Sequence, residues 1–190
     1  MGLFNFLFKD TIFTFKPDFT KSEYDNWLEY ISSGGTDDEW KLLKKRNRWK
    51  FPKSKAEKYM DYEKEMRPLF NKYLALLEQI EKQWSELYNS KNYKSKLSST
   101  IEKECYEAMS YYEKVRNIDI KHEKEPLKGS KVITRLAMLY ERQGNYEKSI
   151  EICKRACFLG MDERSRMLRM IKKAQREPNE EEKSLLDSLM

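Results

Sequence analysis

The chain has 190 residues, 37% of them charged and 39% hydrophobic, with a formal net charge of +6. That length suits one domain, or one domain with an appendage. Only two Val and six Thr are present, too few for a large sheet, and no apolar run approaches the roughly 18 residues of a membrane span, so the composition predicts a soluble all-α protein.

Residues 1–19 stand apart. Leu3, Phe4, Phe6, Leu7, Phe8, Ile12, Phe13, Phe15 and Phe19 crowd into this segment. Thr11 to Lys16 has the β-branched and aromatic content of a strand, and residues 3–8 suit a short helix. The segment either packs onto the helical body or docks on a membrane surface or partner. Met1-Gly2 opens like a myristoylation signal, but Phe6 stands where Ser or Thr is required. No basic leader or small-residue cleavage site marks a signal peptide. Three widely spaced Cys do not make a disulfide framework, which suits a reducing compartment. A cytoplasmic location is expected.

After Pro17 one grammar repeats: Ser, Thr or Asn, then Glu three residues later, then apolar residues at helical spacing. This is the capping box, in which side chains satisfy orphan N–H groups of the first turn. Thr20 with Glu23 predicts a helix carrying Tyr24, Trp27, Leu28 and Ile31 on one face and stopping at Gly34-Gly35. Thr36 with Glu39 predicts the next, bearing Trp40 and Leu43. Ser54 with Glu57 opens a third. Pro68 restarts or kinks it, since proline lacks the N–H and clashes with the preceding turn. A stripe of Phe70, Tyr73, Leu74, Leu77, Trp84, Leu87 and Tyr88 follows, closed by a turn at 89–92. Ser99 with Glu102 predicts a helix bearing Ile101, Cys105, Ala108, Met109, Tyr112 and Val115. A polar loop covers 119–129. Further helices are expected near 130–143, 145–159 and 162–176, and Asn179 with Glu182 caps a last short one.

The basicity is local. Residues 41–58 hold nine Lys and Arg against Glu57, a net of +8, leaving the rest at −2. Within this stretch Lys44, Lys45, Arg46, Arg48, Trp49 and Lys50 mix cations with an aromatic, as phosphate contact and base stacking would require. The alternative is a solvated helix end whose Trp49 and Phe51 turn inward. No helix-turn-helix or RNA-binding signature accompanies the patch.

Ile133-x2-Leu136-Ala137-x2-Tyr140, then Gly144-Asn145-Tyr146-Glu147, then Ser149-x3-Cys153 and Ala156 resemble a tetratricopeptide repeat. Ala137 is small enough for two helices to approach closely. Tyr140 covers the pair, Gly144 permits a left-handed helix end, and Asn145 is placed to cap the second helix. The match departs from the pattern with Ile for Trp, Ser for Ala, Cys for Phe, and Met161 where Pro falls. A weaker echo runs from Leu87-Tyr88 through Asn92-Tyr93 to Cys105, Ala108 and Tyr112. The resemblance implies antiparallel hairpins stacked as a short partial solenoid. The chain then divides into the apolar segment 1–19, a helical domain at 20–128, the repeat with a capping helix at 129–176, and an acidic tail at 177–190. It also implies a groove on the first helices, with Lys131, Thr134, Arg135, Met138 and Arg142 facing it, and a protein or peptide partner. Lys131 and Arg135 match a pair that clamps an acidic or C-terminal carboxylate. Association with a second copy stays open.

Other chemistry is weakly indicated. Cys153 and Cys157 lie one turn apart and, with Cys105 and His122, could be assembled into a zinc site only if distant elements met. Glu39-Trp40-Lys41 with Pro17-Asp18 superficially matches a nuclease, but Glu39 and Lys41 fall in a capped helix. His122 sits in a polar loop with no activated nucleophile nearby, and six Gly leave little material for a phosphate-cradling loop. The expectation is a binding protein without catalytic residue, metal or cofactor; the alternatives are nucleic-acid binding through the basic-aromatic patch 44–51 and a peptide-sensing regulator built on the same repeats.

Overall fold

The computed structural model describes residues 15–187. Most of the apolar segment, with the strand or helix expected there, lies outside these residues. Among those described, the secondary structure is entirely helical. The helices are α1 (Glu23–Ser32), α2 (Asp37–Asn47), α3 (Lys55–Ser90), α4 (Lys96–Lys121), α5 (Lys131–Gln143), α6 (Tyr146–Phe158), α7 (Arg164–Lys173) and α8 (Glu180–Asp187). None is long and apolar enough to cross a membrane. The chain divides into two compact units between Glu63 and Lys64, within α3.

The first unit is held by aromatic rings. Tyr30, Trp40 and Leu43 are buried, with Phe15, Trp27, Ile31, Trp49 and Phe51 against them. Phe15 meets Tyr30 and Trp40 edge-on at 5.2 and 5.8 Å. Such pairs add about 0.5–1.5 kcal/mol each beyond the area they bury.

The start of α1 differs from the sequence expectation. Thr20 does not cap it: its hydroxyl and N–H both donate to Asp18 Oδ1, at 2.6 and 2.8 Å. Ser22 is the N-cap and accepts from the Asp25 N–H at 3.2 Å. Asn26 explains the shift. Its amide accepts from the Asp18 N–H at 2.6 Å and donates to the Asp18 and Ser22 carbonyls at 2.8 and 2.9 Å. That clamp fixes the incoming chain and rotates the helix, so Asn26 and Tyr30 are buried while Tyr24 and Leu28 face solvent. The helix ends at Gly34-Gly35 as expected, and the Tyr30 ring lies where a Cβ on Gly35 would sit, 2.2 Å away. Thr36 and Glu39 form the predicted reciprocal box on α2, and Ser54 and Glu57 form the same bonds ahead of α3.

In the second unit α3 runs on through Pro68 as one helix of 36 residues. It ends where the turn was expected, with Lys91 left-handed. Helix α4 begins four residues before the predicted cap: Ser95, not Ser99, accepts from the Ser98 N–H at 3.3 Å. Helices α4, α5, α6 and α7 pack in chain order, and α8 lies on α6 and α7. One core joins them, including Ile80, Leu87, Ile101, Ala108, Leu136, Ala137, Tyr140, Ile150, Cys153 and Met167.

Gly144 at φ +76° ends α5, the left-handed geometry that a side chain resists. Only Asn145 then separates α5 from α6. Asn145 makes no side-chain cap, contrary to expectation: its backbone, at φ −89° and ψ 71°, lies outside the extended geometry of a capping residue. The hairpin closes tightly at Ala137. Ser149, in the position where a repeat usually has Ala, donates its buried hydroxyl to the Ala137 carbonyl at 2.9 Å, so its polar group is satisfied.

The end of the described chain is fastened by charge and apolar contact. Arg176 grips Glu147 at 2.8 and 2.9 Å and Glu182 at 2.7 and 2.8 Å. Lys154 reaches Glu181. Asn179 and Glu182 form the predicted reciprocal cap at 2.9 Å, and Leu185 and Leu186 pack on the core. The acidic residues at 180–182 thus carry part of a packed helix.

Candidate binding groove

The five residues placed on a groove by sequence all lie on α5, and four of them line two depressions beside α3. Lys131 and Thr134 border one of about 450 Å³, with Tyr73, Leu77 and Met161. Arg135 and Met138 border the other, of about 330 Å³, with Trp84, Ser85, Tyr88 and Asn89. Arg142 borders neither, and its guanidinium lies over the Tyr93 ring at 5.9 Å. Lys131 and Arg142 are exposed, and Thr134, Arg135 and Met138 are half-buried.

Arg135 stands between the depressions and is already engaged. Its Nε and Nη2 donate to Glu81 Oε1 and Oε2 at 2.7 and 2.8 Å, a bidentate pair, and its guanidinium lies 5.2 Å from the Trp84 ring centroid. The hydrogen bond from Arg135 is the largest influence holding the Glu81 carboxyl below the usual range, and the Lys131 charge adds to it. The sequence expectation of an open Lys131–Arg135 clamp meets a fork filled by the protein's own carboxylate. A ligand carboxylate reaches Arg135 only by displacing Glu81. Thr134 is also committed, donating to Glu163 Oε1 at 2.7 Å.

The α3 side of the groove was not assigned from sequence. Its residues Leu77, Glu81, Trp84 and Tyr88 follow three- and four-residue steps, which put them on one helix face. The stripe was legible, but its partner helix was not, because Glu81 and Arg135 are 54 residues apart.

Beneath the groove, Tyr140 passes between helices, donating to Glu102 Oε1 at 2.6 Å and sharing a 3.0 Å bond with the Tyr106 hydroxyl. Burial first, then the Glu102 bond, push its hydroxyl well above the ordinary phenol range. It therefore reaches across to α4 as well as covering the α5–α6 pair. Cys105 and Cys153 are buried and their thiols are pushed up to about 12, chiefly by burial. They are core side chains in the protonated form. Among the described residues no three of His, Cys, Asp and Glu gather around a point that could hold a metal ion. His122 caps α4 beside Glu65 rather than joining the cysteines.

A comparison of the chain with protein families, with curated proteins and with solved structures finds no match.

The 44–51 patch lies in the first unit and is dispersed. Trp49 turns inward, its ring 5.7 Å from Trp40, and Phe51 stacks on Trp40 at 5.8 Å. Lys44 is bound by Glu23 at 2.6 and 2.8 Å. Lys45, Arg46, Arg48 and Lys50 are exposed, with Arg48 in the left-handed turn after α2. The aromatic that base stacking would use is committed to the core. In the nuclease-like set, Glu39 serves the α2 capping box and Lys41 pairs with Asp37 in the same helix.

Proposed function

We propose that the protein is a non-catalytic binding module of tetratricopeptide-repeat type, taking a protein or peptide segment along the groove between α3 and α5. The observation that carries this reading is the pair of depressions on either side of the Arg135–Glu81 bridge, walled by Trp84, Tyr88, Leu77 and Met138. Rigid aromatic walls of this kind suit apolar anchors of a bound chain. Arg135 and Glu81 cancel, so Lys131 at the rim and Arg142, further along α5, leave this side of the helix positive. The partner is therefore one whose apolar side chains are flanked by Asp, Glu or a terminal carboxylate. The bridge fixes the register of the two anchors, and the rim charge speeds encounter.

Selection of peptides from a random library on the full chain tests this. Apolar peptides with acidic flanks should be enriched, and Lys131→Glu with Arg142→Glu should weaken the selected ones by about tenfold, a loss of about 1.4 kcal/mol. Enrichment that is equal on the double variant, or absent on both, overturns the reading.

A further inference from the structure

The first unit contains a cavity of about 750 Å³, open to solvent. Its lining shares no residue with the groove and has a different chemistry. Its walls are the rings of Tyr24, Trp27 and Trp40, and its rim carries the carboxylates of Glu23, Asp37 and Glu57. Among the described residues the only cationic side chain lining it is Lys41. Tyr24, on the solvent side of α1, is 60% exposed. It packs against Trp27 with centroids 5.5 Å apart. The Trp27 indole is oriented by its N–H, which donates to Asp37 Oδ1 at 3.1 Å.

We propose that this aromatic-walled, carboxylate-rimmed cavity binds a methylated ammonium group carried on a lysine side chain of a partner protein.

Two observations point to a cation. The first is charge: Glu23, Asp37 and Glu57 are set against the ammonium groups of Lys41 and Lys44, which leaves one carboxylate in excess. The second is that the carboxylates already attract ammonium groups of the chain itself. Lys44 Nζ is held by both oxygens of Glu23 at 2.6 and 2.8 Å, and Lys41 pairs with Asp37. An ordinary lysine from a partner would have to compete with these for the same oxygens. A trimethylated one does not. It has lost its N–H donors, is weakly hydrated, and gains most from ring faces, where the aromatic quadrupole attracts a cation with an apolar skin. The carboxylates then act at longer range without hydrogen bonding. The cavity is several times larger than a trimethylammonium group, which leaves room for the butyl stem and the residues beside it. That argues for a group borne on a polypeptide.

Tryptophan fluorescence of the full chain tests the proposal directly, since Trp27 and Trp40 line the cavity. The probes are a twelve-residue Ala/Ser peptide with a central trimethyllysine, the same peptide with unmodified lysine, and choline chloride as a free small cation. The trimethyllysine peptide should titrate to saturation, with affinity about tenfold above the lysine peptide and above choline. Tyr24→Ala should weaken it about tenfold while Tyr24→Phe keeps it, because the ring face rather than the hydroxyl makes the contact. Lys41→Met should strengthen it by removing a like charge from the lining. Helical circular dichroism of each variant establishes that it is folded. Equal binding of the two peptides, equal binding of choline, or unchanged binding by folded Tyr24→Ala overturns the proposal.

Discussion

Glu141 on α5 receives three cations of α7. Arg166 Nη1 and Arg169 Nη2 donate to Oε2 at 2.9 and 3.0 Å, and Lys173 Nζ donates to Oε1 at 3.0 Å. Burial alone would raise this carboxyl, but the hydrogen bonds and charges of Arg169 and Lys173 outweigh it and hold it at about 2, against an ordinary 4.5. At about 1.4 kcal/mol per pH unit that difference is worth about 3 kcal/mol. The Arg169 and Lys173 side chains are 49% and 43% exposed, so water and salt screen part of it. Replacing Glu141 with Gln should therefore cost about 2 kcal/mol at pH 7. The sign follows from the depressed value. The folded state holds the charged carboxylate more tightly than the unfolded chain does, so the contribution is complete above the ordinary value and fades as pH falls toward the folded one. Urea unfolding of the wild type and Glu141→Gln, followed by helical circular dichroism, measures the gap. It should be widest at pH 7, begin to close near pH 5, lose more than half its size by about pH 3, and vanish below about pH 2. A gap absent at pH 7, or one that keeps its full size at pH 3, refutes the reasoning.

Three further outcomes are expected. Gly144→Ala places a side chain at φ +76° in open space, so strain without clash should lower stability by about 1–2 kcal/mol in the same urea assay. Ala137→Leu pushes a larger side chain into the closest approach of α5 and α6 and should cost about 1–3 kcal/mol or more, with helicity retained below the transition. Of the three cysteines, Cys105 and Cys153 are buried and Cys157 is partly exposed, so a thiol reagent such as Ellman's should titrate one equivalent quickly in the native protein and three in denaturant. Two fast native equivalents would contradict the placement of Cys153 in the core.

Local chemistry was the legible part of the fold. Thr36 with Glu39, Ser54 with Glu57 and Asn179 with Glu182 each specify a helix start within four residues, and each forms in the structure. The two misplaced starts share a cause. Thr20 and Ser99 have the correct chemistry, but Asp18 takes the Thr20 hydroxyl, and Ser95 caps one turn ahead of Ser99. When several short polar residues stand close together, local hydrogen bonding chooses among them. The face of α1 was misread for the same reason: Asn26, a polar residue, is buried to hold residues 18–22, and it carries Tyr30 inward with it. Four of the five α5 residues expected on a groove border depressions beside α3, and Arg142 does not. The Glu81 counter-charge and the unit-1 cavity were not legible, because each depends on side chains from segments whose pairing has no local signature.

Helix α8 spans eight residues, too few to persist as a helix without support. Its release from α6 and α7 and its unwinding must therefore be a single event, governed by the Arg176 and Lys154 ion pairs and by Leu185 and Leu186. Amide hydrogens in this segment would then exchange together, as a group, and faster in concentrated salt. They would report the opening of that latch while the deeper helices stay protected.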